Sequence, residues 1–157
     1  MQKAFTMIEL IFTIVIIGVL ASVSILKLAA SRDDASASIC INEVGQILHE
    51  VGNSYRKNGY LKFKTMSIDE MTNVQTEVGS GEDGIIEPGT TQVDTTGVTY
   101  SCDGEAIAKV VGESNETVYN IVIYDQDPTQ SIIAQKAAIA LRKIYSYDTG
   151  GYRAYSF

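Results

Sequence analysis

FTMIELIFTIVIIGVLASVSIL, residues 5–26, decides how the amino end folds and where it resides. It consists of Phe5-Thr6-Met7-Ile8-Glu9 followed by 17 residues, Leu10 to Leu26, without a charge. At ~1.5 Å rise per residue, a helix of this length approaches the ~30 Å hydrocarbon core of a bilayer. Length and composition therefore predict a membrane-spanning helix. Glu9 is out of place in it. An ionised group at membrane depth costs ~2.5–3.5 kcal/mol on insertion scales, so a plain anchor would avoid one. An acid retained there marks a function.

The residues around Glu9 specify which function. Ala4-Phe5-Thr6-Met7-Ile8-Glu9 resembles the processing site of type IV prepilins and type II secretion pseudopilins. The family pattern is a small residue, then Phe-Thr-(Leu/Met)-(Ile/Val)-Glu, then an apolar helix. The resemblance implies that a membrane-embedded prepilin peptidase cuts between Ala4 and Phe5 and methylates the new amino terminus of Phe5. Glu9 would then pair with the Phe5 amine of a neighbouring subunit during fibre assembly. The physical logic is plain: a carboxylate in lipid needs a partner or a proton, and only one axial stagger supplies the partner. Two positions depart from the usual pattern. Ala4 stands where Gly is common, and Leu26 stands where many major pilins carry a helix-kinking Pro. The second departure favours a pseudopilin or minor pilin.

Other readings of this segment account for less. A secretory signal peptide cleaved near Ala29-Ala30 would carry more basic residues at its start and no Glu there. A lipoprotein signal fails because Cys40 lies well beyond the apolar run. A plain anchor fits the length and leaves Glu9 unexplained. Basic residues do not orient the helix, since Lys3 opposes Lys27 and Arg32. A cytoplasmic amino end with the carboxyl end outside follows from the resemblance alone.

Residues 31–157 hold 10 Lys/Arg and 18 Asp/Glu, a net charge of −8. Nonspecific nucleic-acid binding needs cations that neutralise phosphates, so this balance opposes it. Arg56-Lys57 and Lys62-Lys64 read as a solvated face. The single histidine, His49, falls in a helical pattern. No P-loop, Gly-x-Ser-x-Gly elbow, His-Glu-x-x-His or Cys-x-x-Cys occurs, and no catalytic residue is assigned.

Past the apolar run, Cys40, Val44, Ile47, Leu48, Val51 and Tyr55 recur at three- and four-residue steps, one stripe of an amphipathic helix. A single helix from about residue 6 to 57, stopped by Gly59, would span ~78 Å. Ser67-Ile68-Asp69-Glu70 reads as a capping box opening a short helix that includes Met71 and Val74. Gly79 to Gly97 reads as loop. Three strands follow, Val98–Cys102, Ala106–Val111 and Val118–Tyr124, with Asp103-Gly104 as a hairpin turn between the first two. Asp127-Pro128 would start a helix running to about Lys143. Ile144 to Phe157 would form a hairpin about Asp148–Gly151. The expected fold class is α+β: a long N-terminal transmembrane and amphipathic helix packed on a small antiparallel sheet. Residues 1–4 would be the leader, 5–30 the transmembrane assembly helix, and 31–157 the outer head, including the amphipathic half of the helix.

Several residues in the head carry separate expectations. Cys40 on the inward stripe and Cys102 at a strand end should form a disulfide in an oxidising compartment; two buried free thiols are the alternative. Glu113-Ser114-Asn115-Glu116-Thr117 places an acid two residues before an Asn-x-Thr acceptor, so Asn115 is a glycosylation candidate and an ordinary polar turn is the alternative. No cofactor is expected. The acids of Glu82-Asp83 and of Asp125 with Asp127 offer calcium ligands, though without EF-hand spacing; solvated turn acids are the simpler reading. Tyr145, Tyr147, Tyr152 and Tyr155 read as sheet packing, or else as a partner or electron-transfer surface.

The resemblance thus implies a structural fibre subunit whose partners are a prepilin peptidase, other pilin or pseudopilin subunits and an inner-membrane assembly platform. It would be single-pass in the bacterial cytoplasmic membrane before entering the fibre. A membrane-tethered periplasmic binding protein or enzyme is the reading from a different class.

Overall fold

The computed structural model describes residues 6–63, 65–78, 97–115, 118–147 and 150–156. Helix α1 runs Met7–Phe63. Its apolar part needs no water for its polar groups. The hydroxyls of Thr13, Ser22 and Ser24 donate to the carbonyls of Leu10, Val19 and Leu20 at 2.8, 2.7 and 2.9 Å. Backbone and side chain are thus satisfied within the helix, the condition for a segment that lies in lipid. The large apolar side chains described between Met7 and Leu28 are all exposed. An apolar surface of that extent requires lipid or protein to cover it.

The chain divides into two compact units, Met1–Ala35 and Ser36–Phe157. In the second, the α1 stripe does what its spacing predicts: Val44, Ile47 and Val51 are fully buried, with Cys40, Leu48 and Tyr55 packed at the margin. Gly59 breaks the helix with φ +71°, a value that suits glycine. The chain does not stop there, as expected from sequence, but makes one more turn. Phe63 explains the extra turn, because it is fully buried and meets the Tyr55 ring edge-on at 5.4 Å. Helix α2, Ile68–Met71, is capped as read: the Ser67 N–H donates to Glu70 Oε2 at 3.2 Å. It ends before Val74, since Thr72 is already extended.

Among the described residues, five strands form one antiparallel sheet in sequence order: β1 Glu77–Val78, β2 Val98–Cys102, β3 Glu105–Asn115, β4 Val118–Asp125 and β5 Tyr152–Ser156. The β2–β3 turn has both Asp103 (φ 52°) and Gly104 (φ 79°) left-handed, as a tight hairpin of right-twisted strands requires. A register shift at Tyr100/Ser101 breaks the alternation of β3, so the consecutive Ile107 and Ala108 are both buried. Strand β3 extends four residues past the expected Val111, because the ladder with β4 continues to Asn115 opposite Val118. The two-residue β1 was not anticipated; it pairs with Thr99 and Val98 of β2. The loop expected over Gly79 to Gly97 lies outside the described residues except at Gly97.

Two expectations near the carboxyl end are corrected. Helix α3 is Ile132–Tyr145 with Ser131 as its N-cap, and does not start at Asp127-Pro128. Glu105 from β3 captures the N–H groups of Thr129, Gln130 and Ser131, which holds that segment outside the helix. The final hairpin does not form either. Ile144 and Tyr145 end α3, and β5 pairs with β4 from Asn120↔Ser156 to Tyr124↔Tyr152. Within this unit the inner stripe of α1 and the Ala134, Ala137, Ala138 and Leu141 face of α3 share one core with the sheet.

Candidate functional site

Thr6 and Glu9 form a closed hydrogen-bonded unit at the start of α1. Glu9 Oε2 accepts from the Thr6 N–H at 2.9 Å and the Thr6 hydroxyl at 2.7 Å, while the Glu9 N–H donates to Thr6 Oγ1 at 3.4 Å. This is a capping box, in which two helix-terminal donors are satisfied reciprocally and the acid sits at the positive end of the helix dipole. Sequence reasoning overlooked it, although the Thr-x-x-Glu spacing of residues 6–9 was the signal. In the single chain, then, the carboxylate is held by its own helix, and any external partner must compete with Thr6. Ala4 and Phe5, the expected processing residues, lie outside the described residues.

In the head, Cys40 and Cys102 are joined across 62 residues. The next turn of α1 repeats the attachment to the same strand: the Tyr100 hydroxyl donates to Glu43 Oε2. Burial, then the bond to Glu43, pushes the Tyr100 phenol above its ordinary value. Strand β2 therefore runs toward Cys40, and β3 runs away from it.

Asp125 and Asp127, weighed as calcium ligands, face a guanidinium. Asp125 accepts from Arg142 Nε at 3.0 and 2.9 Å and from the Gly150 N–H at 2.8 Å; Asp127 Oδ1 accepts from Arg142 Nη2 at 2.8 Å. Among the described residues no group of three His, Cys, Asp or Glu could hold a metal ion. Glu82 and Asp83 lie outside them.

A second acid device joins the β2–β3 turn to α3. The Glu105 carboxylate takes the Ser131 N–H at 2.8 Å, Gln130 at 2.9 Å and Thr129 at 3.1 Å, and these bonds, Ser131 foremost, hold it below its ordinary value. The Ser131 hydroxyl donates to Asp103 Oδ2 at 2.6 Å and accepts from the Ala134 N–H at 3.1 Å. Nothing local in the sequence pointed to this pairing, since 26 residues separate Glu105 from Ser131.

The remaining candidates resolve simply. Tyr145 stacks on Tyr147 at 6.5 Å and meets Tyr155 edge-on at 6.1 Å, so three of the four clustered tyrosines pack together. The Tyr152 side chain is outside the described set. His49 is exposed, with Asn53 Nδ2 at 3.2 Å from its Nδ1. Asn115 ends β3 opposite Val118, at the hairpin end distant from Cys102; Glu116 and Thr117 lie outside the described residues. A hollow of about 440 Å³ beside α2 is lined by Glu50, Lys57, Lys62 and Asp69 among others, and its lining includes no His or Cys.

Residues 1–25 match the family model of the prokaryotic N-terminal methylation motif, the type IV pilin and pseudopilin signature. No curated protein and no solved structure matches the chain. The motif and the exposed apolar helix together are consistent with membrane anchoring.

Proposed function

We propose that this chain is a structural subunit of a type IV pilus or type II secretion pseudopilus, and more specifically a pseudopilin or minor pilin. The observation that carries the reading is the methylation motif over residues 1–25 with Glu9 placed at the mouth of an uncharged helix. Prepilin peptidase would cut after Ala4 and methylate Phe5. The apolar half of α1 would lie first in the cytoplasmic membrane and then in the fibre interior, with the Ser36–Phe157 unit outside. Assembly replaces the Thr6 bonds of Glu9 with the methylated Phe5 amine of a neighbour. That exchange trades a local cap for an ion pair, which in a low-dielectric interior is favourable only when the geometry is right. It therefore acts on register. The Cys40–Cys102 disulfide supports a head that matures in an oxidising compartment. The preference for a minor or pseudopilin role rests on Leu26 in place of the kinking Pro.

Intact mass of the protein recovered from native membranes tests the reading. The expected species begins at Phe5 and carries one extra methyl group. A chain that retains residues 1–4 would overturn it.

A further inference from the structure

The charges of the Met1–Ala35 unit fall into a pattern set by helical phase. Between Thr6 and Ala35 they are Glu9, Lys27, Arg32, Asp33 and Asp34, all on the unbroken part of α1. Eighteen residues, about five full turns at ~3.6 residues per turn, separate Glu9 from Lys27, so both side chains leave the helix on one face. Asp34 lies seven residues further and about 20° off that face, whereas Arg32 and Asp33 are turned about 140° and 120° away. Glu9, Lys27 and Asp34 are all exposed in the single chain. Ala30 and Ser31 flank the same face between Lys27 and Asp34, and small residues there let a second helix approach closely.

Within one copy, Lys27 and Asp34 stand ~10.5 Å apart along the axis, outside the three- and four-residue spacings at which helix side chains meet. The positions one turn from Lys27 are Val23, Ser24, Ala30 and Ser31, none of them an acid. The fibre reading supplies the missing displacement. A Phe5 amine level with a neighbour's Glu9 shifts the two copies by four residues, about 6 Å. The Lys27 of the copy that gives the amine then stands three residues, ~4.5 Å, short of its neighbour's Asp34, a gap that a flexible four-carbon stem spans. Copies that repeat one stagger about a common axis turn the same face inward, as in a parallel coiled coil, so the two side chains meet there. Asp34 also interacts within its own copy, and the ~four lone-pair sites of a carboxylate admit both partners.

We infer that the subunit that offers its Phe5 amine to a neighbour's Glu9 also offers its Lys27 to that neighbour's Asp34. The inference rests on the fibre reading above and deepens it: one stagger closes an ion pair at each end of the apolar segment. An amine at a chain terminus constrains the rotation of its helix only weakly. Lys27, held on one face, fixes that rotation, and a slip by one residue turns it about 100° away from the acid.

The test uses the full-length chain in its native host. Sheared fibres treated with an apolar carbodiimide should yield a covalent dimer in which Lys27 is joined to Asp34. Lys27→Asp and Asp34→Lys should each lower fibre incorporation about tenfold at unchanged membrane level, because each sets like charges against one another on the inner face. The double exchange should largely restore incorporation. Dimers that join Lys27 only to other acids overturn the inference, as does normal assembly of either single variant or a double exchange that fails to rescue. Loss of Lys27→Asp from the membrane itself would make Lys27 a headgroup anchor and overturn it too. If the wild-type chain is missing from fibres, the fibre reading fails and takes this contact with it; wild type in fibres with no rescue by the exchange sinks the contact alone.

Discussion

Replacing Arg142 with Met should be among the most damaging single changes on the head that touch no apolar side chain. The Asp125 side chain is 0% exposed and Arg142 17%, at an Nε–Oδ2 distance of 2.9 Å. Removing the guanidinium strands a buried carboxylate that keeps the Gly150 N–H at 2.8 Å. Breaking a buried pair in this way costs ~3–5 kcal/mol. The converse change, Asp125→Asn, should cost less, ~1–3 kcal/mol, because Arg142 keeps Asp127 at 2.8 Å beside solvent. The double variant should lie well short of the sum, with a coupling of ~1–3 kcal/mol. Strand β5 should loosen as well, since the Asp125 N–H donates to Gly151 O at 2.9 Å and its carboxylate holds Gly150, just before Tyr152. The assay is urea unfolding of the Ser36–Phe157 unit for wild type, both singles and the double, with amide exchange over Tyr152–Ser156. Additive singles, or an Arg142→Met loss below ~1 kcal/mol, would refute the reasoning.

Two further outcomes follow from the head. Replacing both Cys40 and Cys102 by Ala should destabilise it by ~4 kcal/mol in the chain-entropy model for a closed loop of 62 residues, while unreduced wild type should resist thiol alkylation; ready alkylation would contradict the bond. The acid limb of stability should depend on Glu105. Its folded value is depressed below 4.5, so its contribution is complete above 4.5 and is lost as pH falls through the depressed value. Glu105→Gln should therefore flatten the pH profile of unfolding below 4.5, and an unaltered profile would count against the α3 clasp.

What the sequence revealed was local. The α1 stripe repeats every turn, and Asp103-Gly104 forces its own hairpin. Ser67–Glu70 closes a box over three residues. The failures came from distant partners or from irregularity. Glu105 delays α3 by four residues from 24 positions away, which no window around Asp127 can register. Burial of Phe63 carries α1 past Gly59, and the ladder with Val118 draws β3 through Gly112 to Asn115. The Thr6–Glu9 box has the same Ser/Thr-x-x-Glu spacing as Ser67–Glu70 and was legible by the same rule.

The most direct measurement is the amount of Glu9→Leu protein in sheared fibres relative to its level in membranes. Removing an acid from an apolar helix should leave insertion intact or improved. The head should keep its fold, because Glu9 lies in the other compact unit. Incorporation should nonetheless fall strongly, since the charge that meets the neighbour's Phe5 amine is gone. Wild-type incorporation by Glu9→Leu would mean that this carboxylate does not set subunit register, and the account would be wrong at its centre.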